Sequence, residues 1–189
     1  CRQLGKWQEE NAGMADAYVS VNISAKQFMQ PDLVDFINAT VRKNGVSPEN
    51  VHLEITETAV MNDVKASQQI LEKLKELGIS MAIDDFGTGY SSLSYLQQFP
   101  IDVLKIDRSF ISEIHEGQSN KEIVKTIVAL GKSLGMELVA EGIETTDDVK
   151  RLQQMNCCSG QGFLFSRPVE PDKAMELIEK AFKELKGEE

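Results

Sequence analysis

Along the chain, apolar and polar positions alternate between two periods. Short stretches repeat every second residue, and longer ones repeat near every 3.6 residues, the signatures of strand and helix. Ala17 to Ile23, Val51 to Thr56, Ser80 to Phe86, Asp102 to Asp107, Glu137 to Ile143 and Gln161 to Phe165 read as strands. Between them, Val64, Ile70, Leu71, Leu74 and Leu77 form a helical stripe that Gly78 ends as a left-handed cap. Pro31 suits the first turn of a helix carrying Leu33, Val34, Ile37 and Val41 and ended by Gly45; Pro171 does the same for a last helix with Ala174, Met175, Ile178, Phe182 and Leu185. Asn120 and either Thr145 or Thr146 are N-cap candidates for the two helices between. Strand-helix units without hairpin turns predict an α/β fold with a parallel sheet, open and doubly wound or closed into a barrel.

The placement of polar residues decides between those two. Asn22, Glu54, Asp84, Asp85, Lys105, Asp107, Glu141 and Gln161 fall at or near the ends of six different predicted strands, mostly the C-terminal ends. Barrel enzymes collect their chemistry there, whereas an open sheet concentrates it at one switch point. Six strands against the roughly eight of such a barrel leave about two to precede Cys1. The run Arg2 to Trp7 reads as an amphipathic helix already under way, and the expectation is a piece of a longer protein.

Composition narrows the classes. The 189 residues, 41% hydrophobic and 26% charged, suit one globular domain spanning 1–189. No apolar run approaches the roughly 20 residues of a membrane span, and no signal-peptide pattern opens the chain, so a cytoplasmic domain is expected, in a parent protein free to be membrane-anchored. A net charge of -10 disfavours a nucleic-acid polymer as partner. Cys1, Cys157 and Cys158 match neither a disulfide framework nor a zinc spacing, and His52 and His115 lie outside any His-Glu-x-x-His helix.

The strand ends carry the candidate chemistry. Alternation puts Glu54 on the opposite face from Leu53 and Ile55, and Lys105 with Asp107 opposite Leu104 and Ile106. Asn22, Glu54 and Asp84, with Asp85 adjacent, offer hard oxygen donors that suit Mg2+ or Mn2+. Two such ions can bind a phosphate oxygen and deliver a hydroxide to a phosphodiester. Lys105 is placed to stabilise charge and Glu141 to serve as general base; the ordinary alternative is a Lys105–Asp107 ion pair.

The runs Val19-Ser20-Val21-Asn22-Ile23-Ser24, Glu54-Ile55-Thr56-Glu57, Asp84-Asp85-Phe86-Gly87-Thr88-Gly89-Tyr90-Ser91-Ser92, Leu104-Lys105-Ile106-Asp107, Val139-Ala140-Glu141-Gly142-Ile143-Glu144 and Gly160 to Pro168 together closely resemble the EAL-domain family of cyclic di-GMP phosphodiesterases. The resemblance implies a modified (β/α)8 TIM-like barrel, lacking about its first two strands here, and metal-dependent hydrolysis of cyclic di-GMP to linear pGpG in bacterial second-messenger signalling. It implies that Asn22, Glu54, Asp84 and Asp85 bind Mg2+ or Mn2+, that Lys105 and Glu141 act at the attacking water, and that Glu57 and Glu144 support them, Glu57 by anchoring the loop after Asp85. Asp107, Gln161, Phe165 and Pro168 fall to the substrate, the segment Phe165 to Pro168 near the guanine.

One departure stands out: the Glu-Ala-Leu tripeptide, whose Glu ligates metal within a Glu-x-Leu-x-Arg strand, does not occur. The alternative function is therefore a silent cyclic di-GMP receptor or partner-binding barrel, inactive for want of that strand. Besides cyclic di-GMP, the expected partners are a second copy of the chain and regulatory domains of a parent protein.

Overall fold

The structure, a computed structural model, describes residues 1–88, 93–112, 114 and 118–186. His115 and the motif residues Gly89, Tyr90, Ser91 and Ser92 lie outside the described residues, as do the side chains of Phe182 and Leu185. Six strands form one parallel sheet in chain order: β1 (Val19–Ile23), β2 (Val51–Thr56), β3 (Ser80–Phe86), β4 (Val103–Ile106), β5 (Glu137–Ala140) and β6 (Ser159–Gly160). Sequential order without reversal is the winding of a barrel; a doubly wound sheet turns back at its switch point.

Ten α-helices accompany the strands among the described residues: α1 (Arg2–Glu10), α2 (Ala25–Phe28), α3 (Leu33–Lys43), α4 (Glu57–Met61), α5 (Val64–Glu76), α6 (Leu93–Leu96), α7 (Arg108–Ser112), α8 (Gln118–Ser133), α9 (Thr146–Gln154) and α10 (Pro171–Lys186). The stripe on α5 buries Leu71 and Leu74 fully, against a core that includes Leu53, Ile55, Met81, Ile83, Leu104 and Ile106 of the strands. Leu104 and Ile106 are thereby committed to the helix-facing side, which leaves Lys105 to the interior of the barrel. Ile178 of α10 borders both a groove beside Glu141 and Gln161 and a recess beside Leu4, Trp7 and Tyr18. One helix thus reaches both edges of the sheet, which must curl round to allow it.

Several boundaries move. The sixth strand is the short Ser159–Gly160, earlier than Gln161 to Phe165, and Gly162 to Phe165 form a turn. The reason is steric: a Cβ on Gly162 would lie 2.1 Å from the carbonyl oxygen of Ile143, so the chain passes too close to that backbone to continue a ladder. The fifth strand ends at Ala140, before a turn at Gly142. The first and fourth are trimmed at their ends, to Val19–Ile23 and Val103–Ile106. Asn120 lies inside α8 rather than capping it, and α3 begins at Leu33, with Pro31 in the preceding turn. Thr145, not Thr146, caps α9, in a reciprocal box with Asp148.

Candidate active site

Lys105 is the hub. On β4 it lies opposite Val139 of β5 and is only 4% exposed. A buried ammonium is costly unless paired, and this one meets Glu54 Oε2 at 2.6 Å, Glu141 Oε1 at 2.6 Å and Asp84 Oδ1 at 3.0 Å. Burial pulls its pKa down, but the hydrogen bonds to Glu141, Glu54 and Asp84 more than reverse that, and Lys105 is held above the usual lysine range. Asp107 is occupied differently: its Oδ1 accepts the backbone N–H of Ser109 at 2.9 Å and the Ser109 hydroxyl, in the first turn of α7.

Strict alternation sends adjacent residues to opposite faces, which would separate Asp84 from Asp85. The register resolves this. Ile83 pairs with Leu104 and Phe86 with Ile106, so two residues of β3 stand opposite Lys105 alone. That is a β-bulge, and Asp85 adopts φ 54° within it. One carboxylate oxygen each from Asp84, Asp85 and Glu141 then lies within 4.8 Å of the others.

Burial raises the Asp85 pKa, and repulsion from Asp84 and Asp107 adds to it. Burial likewise raises Glu141, reinforced by the charges of Asp84 and Glu54 against the counter-pull of Lys105. Three carboxylates share one ammonium and a fourth, Asp85, stands beside them, a donor set of hard oxygens short of positive charge. Such a set fits a divalent cation of the Mg2+ or Mn2+ kind.

Around this cluster, Gln161 Nε2 donates to Glu141 Oε1 at 2.6 Å. Asn22 is exposed on β1 with Glu54 as its register partner. Glu57, 3% exposed at the start of α4, accepts the N–H of Gly87 at 2.9 Å and so ties the segment after Asp85 to α4. Arg108 Nη2 pairs with Glu144 Oε1 at 2.7 Å.

A groove of about 640 Å³ adjoins Glu141 and Gln161 and is bordered by Arg108, Glu144, Phe163, Arg167 and Pro168. The Arg167 guanidinium sits 4.8 Å from the centre of the Phe163 ring. Phe163, rather than Phe165, lines this groove; Phe165 is 61% exposed. Arg108 and Phe163 were not among the residues expected here, and Glu141, expected at this end of the barrel as a base, also joins the carboxylate group of Asp84 and Asp85. The position of Arg108, directly after a barrel strand and Asp107, was the available signal.

The sequence profile of the EAL domain matches residues 1–168. The bifunctional diguanylate cyclase/cyclic di-GMP phosphodiesterase MucR of Pseudomonas aeruginosa is 43% identical over 178 residues, which are 94% of this chain and 26% of that protein. The chain spans about a quarter of the length of the curated relatives it matches. Among solved structures, the PaMucR phosphodiesterase in complex with c-di-GMP superposes with a TM-score of 0.88 at 43% identity, covering 92% of this chain and 70% of that one. The manganese/cy-diGMP complex of Klebsiella pneumoniae BlrP1 gives a TM-score of 0.78 at 32% identity, covering 87% and 42%. Sequence, sheet winding and superposition agree: this chain belongs to the EAL domain family.

Proposed function

We propose that the chain carries the active site of a bacterial signalling phosphodiesterase, which hydrolyses cyclic di-GMP to linear pGpG with Mg2+ or Mn2+. The observation that supports this best is the Lys105 ammonium shared by Glu54, Asp84 and Glu141, with Asp85 grouped beside Asp84 and Glu141, at the C-terminal side of the strands. Such a concentration of charge is unfavourable in a resting protein and marks a functional site. The relatives lend the substrate and the metal: MucR is named a cyclic di-GMP phosphodiesterase, and the Klebsiella protein is complexed with manganese and cy-diGMP.

Asn22, Glu54, Asp84 and Asp85, joined by Glu141, are the residues that would hold the cation. A bound divalent cation supplies Lewis acidity and lowers the pKa of its water. Glu141, its carboxyl raised by burial, takes the proton of the attacking water, while the Gln161 amide fixes its Oε1. Lys105 keeps its charge and offsets the negative charge that builds on the phosphoryl oxygens. Glu57 holds the segment after Asp85 through Gly87, and Glu144 and Asp107 brace α7 and the turn after β5. Gln161, Phe163 and Pro168 offer a groove for a guanine, with Phe165 at its exposed margin.

A second reading is a receptor that binds the dinucleotide without cleaving it; these 189 residues contain no Glu-x-Leu-x-Arg run. The test is to quantify pGpG formed from cyclic di-GMP with Mg2+ or Mn2+, with and without EDTA. It is run on this chain and on the chain lengthened at its N-terminus by such a strand. EDTA-sensitive hydrolysis in either supports the enzyme. Binding without hydrolysis in both replaces it with the receptor, and neither binding nor hydrolysis sinks both.

A further inference from the structure

Glu141 is the first residue after β5, and a general base at a strand end must be held still by the turn into which the strand runs. Its own N–H continues the ladder to Ile106 O at 3.1 Å. The next residue, Gly142, turns the chain at φ 70°, and Ile143 is buried with its N–H on Gln161 O at 3.1 Å. Arg108 crowds Gly142 most closely. A Cβ there would fall 2.3 Å from Arg108 Cγ, 2.8 Å from its Cβ and 2.9 Å from its Cδ, so the whole aliphatic stem of Arg108 lies flat on the backbone of Gly142.

Beyond that contact, the Arg108 guanidinium closes on Glu144 Oε1 at 2.7 Å, two residues further along the same turn. Glu144 is itself fastened, its N–H donating to Asp148 Oδ2 at 3.2 Å within the capping box of α9. The turn is thus gripped at Gly142 by a hydrocarbon stem and at Glu144 by a charge, both from one side chain. That side chain comes directly after Asp107, whose carboxylate caps α7 and whose charge bears on Asp85.

We infer that Arg108 is a positioning residue: it clamps the turn Gly142 to Glu144 and so fixes the Glu141 carboxylate against Lys105 and Gln161. Surface ion pairs contribute little to stability in general. The value of this one lies in geometry, since a misplacement of about 1 Å at a reacting group can cost on the order of 100-fold in rate. Glycine at 142 is required twice over, by its positive φ and by the space the Arg108 stem fills.

The inference rests on the phosphodiesterase reading, so the experiment carries a readout that does not. Arg108→Ala and Arg108→Lys are compared with the unaltered chain in amide hydrogen exchange at Ile143 and Glu144, without ligand or metal, and in kcat and KM for cyclic di-GMP in whichever form of the protein turns over. The expected result is exchange at these two amides at least about tenfold faster in Arg108→Ala, with melting temperature nearly unchanged. With it, kcat should fall about 10- to 100-fold at constant KM. Arg108→Lys, which keeps the stem and a charge for Glu144, should recover most of both. A raised KM with unchanged kcat would make Arg108 a substrate contact, and unchanged exchange would show that it clamps nothing; either overturns the inference. Should cyclic di-GMP not be hydrolysed at all, the phosphodiesterase reading falls and the exchange data alone decide whether the turn is clamped.

Discussion

Asp85 concentrates the tension of the site in a single residue. It adopts φ 54°, a conformation that costs a non-glycine residue about 1–2 kcal/mol, and its carboxyl is raised by burial and by Asp84 and Asp107. Asp85→Gly relieves the backbone and the repulsion, against roughly 0.5–1 kcal/mol of added unfolded-state entropy. The melting temperature of that variant, measured without metal, should therefore hold or rise while metal-dependent hydrolysis falls at least about tenfold; a lower melting temperature with full activity would contradict the role given to the bulge. Glu141 makes the complementary case. In the proposed mechanism Glu141 acts on the water more than on the bound dinucleotide, so in Glu141→Ala kcat should drop by about 100- to 10,000-fold with the dissociation constant for cyclic di-GMP within about threefold. Near-normal turnover would remove Glu141 from the mechanism.

At the scale of elements, the turns after β5 and β6 hold each other in place. Gly162 passes so close to Ile143 that a methyl group would overlap its carbonyl oxygen, nitrogen and carbonyl carbon, at 2.1, 2.3 and 2.7 Å. All of these are backbone atoms and cannot rotate away. Gly162→Ala should therefore cost about 1–3 kcal/mol or more, read as a loss in denaturant midpoint. Because Gln161 moves with it, the Glu141 hydrogen bond should weaken and activity should fall further than stability explains. A variant as stable and active as the parent would show that the two turns slide independently. The sequence reads as a strand at Gln161 to Phe165, yet that segment forms none. Only the contact with Ile143 reveals why.

On the whole-molecule scale, the paired carboxylates make metal binding a stability effect. A cation that binds the folded chain at 100 times its dissociation constant stabilises it by about 2.7 kcal/mol. For a chain of this size that raises the melting temperature by roughly 5–10 °C. Mn2+ or Mg2+ should produce such a rise, EDTA should reverse it, and Asp84→Asn should abolish it; a metal-independent melting curve would argue against the site. The sheet also has open edges: β1 pairs only with β2 and β6 only with β5 among the described residues. Unpaired N–H and C=O groups along β1 template association, and Tyr18 and Phe36 are more than half exposed. Sedimentation of this 189-residue chain should show concentration-dependent self-association, and a monomer across the range would mean that the edge is shielded. None of the helices described is long and apolar enough to cross a membrane.

By itself, the sequence determined the order of strands and helices, the parallel sheet, the strand-end positions of Asn22, Glu54, Asp84, Lys105 and Glu141, and the family. Each of these comes from local periodicity or from short motifs, which are properties of neighbouring residues. Tertiary structure decided who meets whom. Lys105 turned from Asp107 to three carboxylates, on β2, on β3 and directly after β5, because the barrel brings those strands round a common axis. Asp85 joined Asp84 on one face because the register of β4 against β3 slips by one residue, a relation between two strands that neither encodes alone. Arg108 met Gly142 and Glu144 because α7 and the turn after β5 are packed side by side, although 34 and 36 positions separate them in the chain. Alternation fixes the face of a residue, but only the packing of strands and turns against one another fixes its partners.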